Sequence, residues 1–313
     1  MDKIIDERVV IDSDIKIGAT ISYIDKSVKR PLILLIMGTG TMDRDGNGHG
    51  LKLNLYKDLS DMFVKMGYVC IRYDKRGTHE STGNFKTAGL HDLVNDSASV
   101  IEYAKGLEYV DSDRIIACGH SEGAMVATLL TKQSKLDSII LLCGAATCMK
   151  SALLYQNELV INEFKSKKGF ASWLLNKLVT VEKVEKQVSD LYRKAAKAKG
   201  DRFFFRGAMM STAWVKEHGE LTDDDFVKMI EEYEGRVLAI TGKSDVQADY
   251  NSLDKIKEFA NVTTYSPDKV NHILREVNEE ESIVNVKSQY VRLSKEPIYE
   301  GVGKAIEEFL DIE

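Results

Sequence analysis

Long apolar runs are missing from this chain of 313 residues. The longest are of strand length, which excludes a membrane-spanning helix on sequence grounds. The segment from Met1 to Arg8 has no apolar stretch of the kind a secretion signal needs. An excess of basic residues is also missing: the formal net charge is −6, which argues against nucleic acid as the main partner. Cysteine is scarce. The four residues Cys70, Cys118, Cys143 and Cys148 match no metal-ligand spacing, and three lie in or beside apolar runs where a reduced, packed thiol is expected. No repeat and no low-complexity tract interrupts the chain. These absences lead to the expectation of a cytoplasmic protein with no resident metal or cofactor and no nucleic-acid partner. The oligomeric state stays open, a homodimer among the options.

What is present is a core: 43% of the residues are apolar, enough for one large α/β domain with an insertion, or for two domains. Residues 4–25 alternate in the manner of β-structure. Pro31 to Met37 is a near-continuous apolar run, as a central strand covered on both faces requires. Leu55, Leu59, Met62, Phe63 and Met66 share one helical face. Further strands are expected at 68–73, 114–118, 138–143, 236–241 and, more weakly, 261–265, with helices over 94–104 and 301–311. Strands alternating with helices imply a mostly parallel, doubly wound sheet.

The pattern breaks after Gly144. Residues 147–235 separate two core strands, far more than a connection inside a compact domain needs, and they read as almost wholly helical. The expected organisation is a core of 1–146 and 236–313 with a helical cap inserted at 147–235. Residues 147–206 hold thirteen Lys/Arg against six Asp/Glu. A solvated helical face is the ordinary explanation, and attraction of an anionic substrate the sharper one. Phe203, Phe204 and Phe205, between Arg202 and Arg206, could wall a substrate pocket, although packing of the cap is the favoured role.

The most informative motif is Gly119-His120-Ser121-Glu122-Gly123. It follows the apolar run 114–118 and precedes the small, apolar run 124–130. Strand, Gly-x-Ser-x-Gly, helix is the nucleophile elbow, a turn tight enough to lift the serine hydroxyl clear of a sheet. A serine hydroxyl needs a base, usually histidine held by a carboxylate, and in this architecture acid and then histidine follow the serine along the chain. Of six histidines (His49, His79, His91, His120, His218 and His272), only His272 lies late in the chain and beyond the last strand. Asp245 follows the buried run 236–241 at its carboxyl end, where open α/β sheets build their sites, with Asp249 in reserve. Backbone N–H groups of Glu122 and of Thr39, in the Gly38-Thr39-Gly40 loop, are the expected oxyanion donors. Asp43 to Gly46 is expected to order that loop, with Arg44 binding a substrate carboxylate as the minority option. Asp74 and Arg76, in the turn 73–77, are expected to pin backbone groups.

Taken together, Gly38-Thr39-Gly40, Asp43 to Gly46, Arg72 to Gly77 with Ser81, the elbow, Gly242 to Asp245 and Asn271-His272 resemble the α/β-hydrolase family. The likeness is nearest to its bacterial branch related to serine aminopeptidases, prolyl-oligopeptidase-type domains and cinnamoyl or feruloyl esterases. Met37 departs from the histidine that many members carry there, and no proline stands within a few residues after Asp245. The resemblance implies a triad of Ser121, Asp245 and His272, with Thr39 and Glu122 forming the oxyanion hole. The expected activity is hydrolysis of a small acyl substrate, most simply a carboxylic ester, through an acyl-enzyme. Thioester or short-peptide cleavage uses the same apparatus, and the rival of another class is a non-catalytic ligand-binding protein of the same fold.

Overall fold

The computed structural model describes residues 3–48, 50–166 and 180–311. His49 and residues 167–179 of the expected cap lie outside the described residues. The frame is an eight-stranded sheet. In chain order its strands are β1 (Ile5–Asp12), β2 (Lys16–Tyr23) and β3 (Arg30–Ile36), then, beyond a short ribbon of β4 (Asn47–Gly48) and β5 (Leu51–Lys52), β6 (Val69–Tyr73), β7 (Val110–His120) and β8 (Ser138–Leu142). After the insertion described below, the strands β11 (Arg236–Ile240) and β12 (Val262–Tyr265) complete it. The spatial order is β1-β2-β6-β3-β7-β8-β11-β12. From β6 to β12 every pairing is parallel, and β1 and β2 extend the edge in antiparallel fashion.

Strand β3 explains why the sheet is covered on both sides. Side chains alternate across a strand. Leu32, Leu34 and Ile36 therefore join the core against helices α2 (Leu90–Lys105) and α3 (Glu122–Leu130), whereas Ile33 and Leu35 join the core under α1 (Leu55–Lys65). A strand buried on both faces has to read as an unbroken apolar run, which is what 31–37 is.

Between β8 and β11 the chain runs through α4 (Met149–Ser166), α5 (Val181–Lys197), the hairpin β9 (Arg202–Phe205) and β10 (Ala208–Ser211), α6 (Thr212–Gly219) and α7 (Asp223–Glu231). The hairpin departs from the wholly helical reading of this stretch. Aromatic residues favour strands, and Arg206 and Gly207 both take positive φ (46° and 90°), the backbone a tight two-residue hairpin turn needs. After β12 come α8 (Val286–Leu293) and α9 (Glu300–Leu310), the latter packed with α1 in one core. Among the described residues no helix is long and apolar enough to cross a membrane.

The charged turn after β6 behaves as expected in one half. Asp74 accepts the backbone N–H of Arg44 (2.8 Å) and of Glu80 (3.1 Å). Arg76 differs: its guanidinium pairs with side chains, Asp96 of α2 at 2.7 and 2.9 Å and Asp92 at 3.0 Å. The pairing follows from geometry, because a planar fork matches a carboxylate better than it matches a single carbonyl.

Candidate active site

Strand β7 hands over to helix α3 through one residue, Ser121, at φ 57° and ψ −122°. This conformation costs a non-glycine residue on the order of 1–3 kcal/mol and persists only where its surroundings enforce it. Here they do. The Ser121 N–H donates to the Leu142 carbonyl (2.8 Å), and the Ser121 carbonyl accepts from the Ala124 N–H (2.9 Å). Two glycines make room: a Cβ on Gly119 would strike the Gly123 carbonyl, and one on Gly123 the carbonyl of Ile36.

Asp245 and His272 come from the loops after β11 and β12. The loops are laced together by the Ser244 N–H on the Val270 carbonyl (3.2 Å), while Asn271 Oδ1 accepts from the N–H groups of Ile273 (3.2 Å) and Arg275 (3.0 Å). His272 Nδ1 lies 2.8 Å from Asp245 Oδ2. The other carboxylate oxygen accepts the N–H groups of Gln247 (2.7 Å) and Ala248 (2.9 Å), so the carboxylate cannot swing away. Asp249 instead caps the short 3-10 turn Tyr250–Lys255. Ser121 and His272 face one cavity of about 480 Å³. The serine hydroxyl makes no hydrogen bond among the described residues, a looseness common in sites without substrate.

Thr39 lies on the wall of the same cavity. Gly38 next to it is held at both ends: its N–H donates to the Tyr56 hydroxyl (2.8 Å), and its carbonyl accepts from Lys75 Nζ (2.6 Å). Glu122 opens α3, where backbone N–H groups have no intrahelical acceptor. Nothing in the sequence announces a task for its side chain. It is buried, with Oε2 2.7 Å from Lys75 Nζ, and Oε1 accepting from Trp214 Nε1 (2.6 Å) and His218 Nε2 (3.2 Å). Burial works to raise its pKa, but the Lys75 ammonium and His218 outweigh that and hold the carboxyl well below the usual carboxylate range.

His120 points away from the hydroxyl. Nε2 is 2.8 Å from the His272 carbonyl and Nδ1 is 3.1 Å from the Tyr56 hydroxyl. Burial, with His272 next to it, pushes its pKa down to about 3, so the ring is neutral. His120, Cys143 and His272 bring potential ligand atoms within 4.8 Å of one another. Both nitrogens of His120 and Nδ1 of His272 are already engaged, so this group suits proton chemistry better than a metal.

The four residues expected to touch substrate, Arg44 and Phe203 to Phe205, stay out of this cavity. Arg44 is buried and bonded to Asp74 (2.6 Å) and to Glu80, two carboxylates that compensate its charge. Phe203 packs with Leu191 and Val215 in the core of the inserted segment, Phe204 is exposed, and Phe205 is half-buried under Arg206. Alternation along β9 scatters the three rings. The neighbouring strand reaches a cavity instead. Met209 and Met210, with Phe85, Leu93 and Trp214, line a second, apolar pocket of about 280 Å³ that shares Thr39 and Trp214 with the first. Helix α4 contributes Met149, Leu153 and Gln156 to the wall of the Ser121 cavity.

Comparison with known proteins agrees with this architecture. A family model described as X-Pro dipeptidyl-peptidase (S15 family) matches residues 19–256. Esterase EstD of Thermotoga maritima is 24% identical over 123 residues, a stretch covering 39% of this chain and 29% of that protein. The chain thus matches less than a third of that relative's length. Among solved structures, Est1E from Butyrivibrio proteoclasticus is 18% identical with a TM-score of 0.58, covering 97% of each chain. The Pyrococcus furiosus esterase Pf2001 is 12% identical with a TM-score of 0.53, covering 98% of this chain and 92% of its own. At such identities the structural likeness speaks for the fold alone, which is that of the α/β-hydrolases.

Proposed function

Because the chain belongs to the X-Pro dipeptidyl-peptidase (S15) family, we propose that it is a serine hydrolase whose substrate is a small carboxylic ester. Ser121 is the nucleophile, His272 the general base and Asp245 the orienting acid. The single observation that carries this reading is the 2.8 Å bond between His272 Nδ1 and Asp245 Oδ2, beside a cavity that also exposes Ser121. With Nδ1–H committed to the carboxylate, Nε2 is the basic nitrogen.

The reaction runs as follows. Nε2 takes the proton of Ser121 as Oγ attacks the ester carbonyl carbon. The carbonyl oxygen becomes an oxyanion held by the N–H groups of Thr39 and Glu122. Collapse of the tetrahedral adduct breaks the bond to the alkoxy oxygen, which leaves with the proton from Nε2. Water, deprotonated by the same nitrogen, then attacks the acyl-enzyme, and the acid departs as Ser121 recovers its proton. Asp245 stabilises each transient imidazolium and stays ionised. The segment between β8 and β11 acts as the cap.

An ester is favoured over a peptide cut near its amino terminus because of charge. An amino-terminal ammonium asks for a carboxylate, and among the described residues that line the Ser121 cavity there is no Asp or Glu, whereas Lys287 is cationic. The test is labelling with a fluorophosphonate, followed by a panel of nitrophenyl esters, acyl-CoA thioesters and aminoacyl amides. Wild type is expected to be labelled, Ser121→Ala to resist, and esters to be turned over fastest. A folded wild type that resists the probe at neutral pH overturns the proposal, and leading turnover of the amides overturns its ester part.

A further inference from the structure

Lys75 is a buried cation that the mechanism above leaves without a task. Its side chain is 4% exposed, and its ammonium meets two acceptors: the carbonyl of Gly38 at 2.6 Å and Glu122 Oε2 at 2.7 Å. Glu122 is one of the two proposed oxyanion donors, and Gly38 shares a peptide bond with the other, Thr39. The peptide bond between Gly38 and Thr39 is planar and trans, so its C=O and N–H point in opposite directions. A cation anchored on the Gly38 oxygen therefore sets the direction of the Thr39 N–H. It also draws electron density toward that oxygen, which makes the N–H a stronger donor.

The geometry points to Lys75 as the positioning residue of the oxyanion hole, clamping the Gly38–Thr39 peptide so that its N–H faces the developing charge, with the Glu122 carboxylate as its fixed counter-ion. The inference rests on the reading of Ser121 as nucleophile and Thr39 as donor. It assigns a task to a glutamate that the elbow pattern does not require. A carboxylate one residue after the nucleophile places negative charge near an oxyanion, which is unfavourable unless a cation screens it. Lys75 supplies that screening at 2.7 Å from the carboxylate. The remaining oxygen of Glu122 is held by Trp214 Nε1 (2.6 Å) and His218 Nε2 (3.2 Å), both on α6. The inserted segment is thus hydrogen-bonded to the same carboxylate that steadies the lysine, and Trp214 also lines the Ser121 cavity.

A buried ion pair invites a merely structural explanation, and the test separates the two. The double variant Lys75→Met/Glu122→Gln removes both charges together, leaves no unpaired ion, and is expected to fold with a melting temperature near that of wild type. Ester turnover is measured per active site, counted by fluorophosphonate titration, so that partial unfolding does not imitate a catalytic defect. The expected result is a kcat lower by ten- to a hundredfold, with KM within about threefold. The inhibition constant of a trifluoromethyl ketone, which forms a serine-bound oxyanion, should rise in proportion. An unchanged kcat and unchanged ketone affinity overturn the inference. If the double variant does not fold, Lys75→Met and Lys75→Gln are judged by the same two numbers. Failure of wild type to take up the phosphonate would instead bring down the reading of Ser121, so the two failures are distinct.

Discussion

His120 Nε2 lies 2.8 Å from the main-chain carbonyl of His272. A carbonyl can only accept, so Nε2 carries the proton and Nδ1 is the acceptor. The Tyr56 hydroxyl therefore donates to Nδ1 (3.1 Å) and accepts the Gly38 N–H (2.8 Å). One neutral tautomer thus joins the oxyanion loop to the loop that carries the base, with every donor and acceptor along the path assigned.

That neutrality makes stability depend on pH. The pKa of His120 is about 3 in the folded protein and ordinarily 6.5. Between those values the unfolded chain binds a proton that the folded one refuses, so this contribution is complete above pH 6.5 and declines as the pH falls toward 3. Acidifying from pH 6 to 5 should cost about 1 kcal/mol through this residue. The Glu122 carboxyl, whose folded pKa is lowered, contributes stability above its ordinary value of 4.5 and loses it only below, so it does not confuse that window. Urea unfolding of wild type and His120→Gln at pH 7, 6 and 5 measures the difference. Parallel pH dependences would show that the imidazole is not kept neutral by the fold.

Tyr56→Phe removes the middle link. It leaves His120 Nδ1 and the Gly38 N–H without their partner, and a lost buried hydrogen bond costs on the order of 1–3 kcal/mol. Destabilisation of about 2 kcal/mol is expected, with kcat reduced several-fold more than KM changes, because Gly38 precedes the proposed donor Thr39. Denaturant melts paired with nitrophenyl ester kinetics read both. A loss of stability with full kcat would confine Tyr56 to packing.

The parts of this site that could be read in the sequence are those whose chemistry is local. The run from Pro31 to Met37 announces a two-sided central strand because every residue in it must be apolar, and the elbow announces itself because its glycines and serine fall within five successive positions, although Gly123 answers to the distant Ile36 carbonyl. His272 was legible by chain order. The hairpin at 202–211 was not, since three successive aromatics carry no alternation to set against the helical surroundings. Lys75 and Trp214 were illegible for another reason. Their partner Glu122 lies 47 and 92 positions away, and a lone lysine or tryptophan gives no sign of what the fold will bring to it. Arg44 takes the structural role favoured for its loop, not the minority one at a substrate, and the sequence does not announce its partners Asp74 and Glu80.

The assignment of the acid is open to a direct comparison. Asp245→Asn keeps the shape of the loop but offers His272 Nδ1 an amide, which favours the wrong tautomer, and kcat should fall by about 10³–10⁴-fold. Asp249→Asn touches only the cap of a 3-10 turn and should leave kcat within about twofold. Steady-state ester hydrolysis by the two purified variants suffices, and a reversed ranking would move the acid to position 249.

The apolar pocket beside Trp214 should govern acyl length. Ala88 sits on its wall, 6% exposed, with its carbonyl fixed by the Ser211 hydroxyl at 2.8 Å. A phenyl ring placed there fills much of the roughly 280 Å³ available. Each methylene excluded from an apolar site forfeits about 1 kcal/mol of transition-state binding. For Ala88→Phe the ratio of kcat/KM for nitrophenyl octanoate to that for the acetate should therefore fall at least tenfold. The pocket shares Thr39 and Trp214 with the Ser121 cavity, so an acyl chain bonded to Ser121 is expected to extend into it. If the ratio holds and the preference for leaving groups shifts instead, the two arms of the substrate lie the other way round about Trp214.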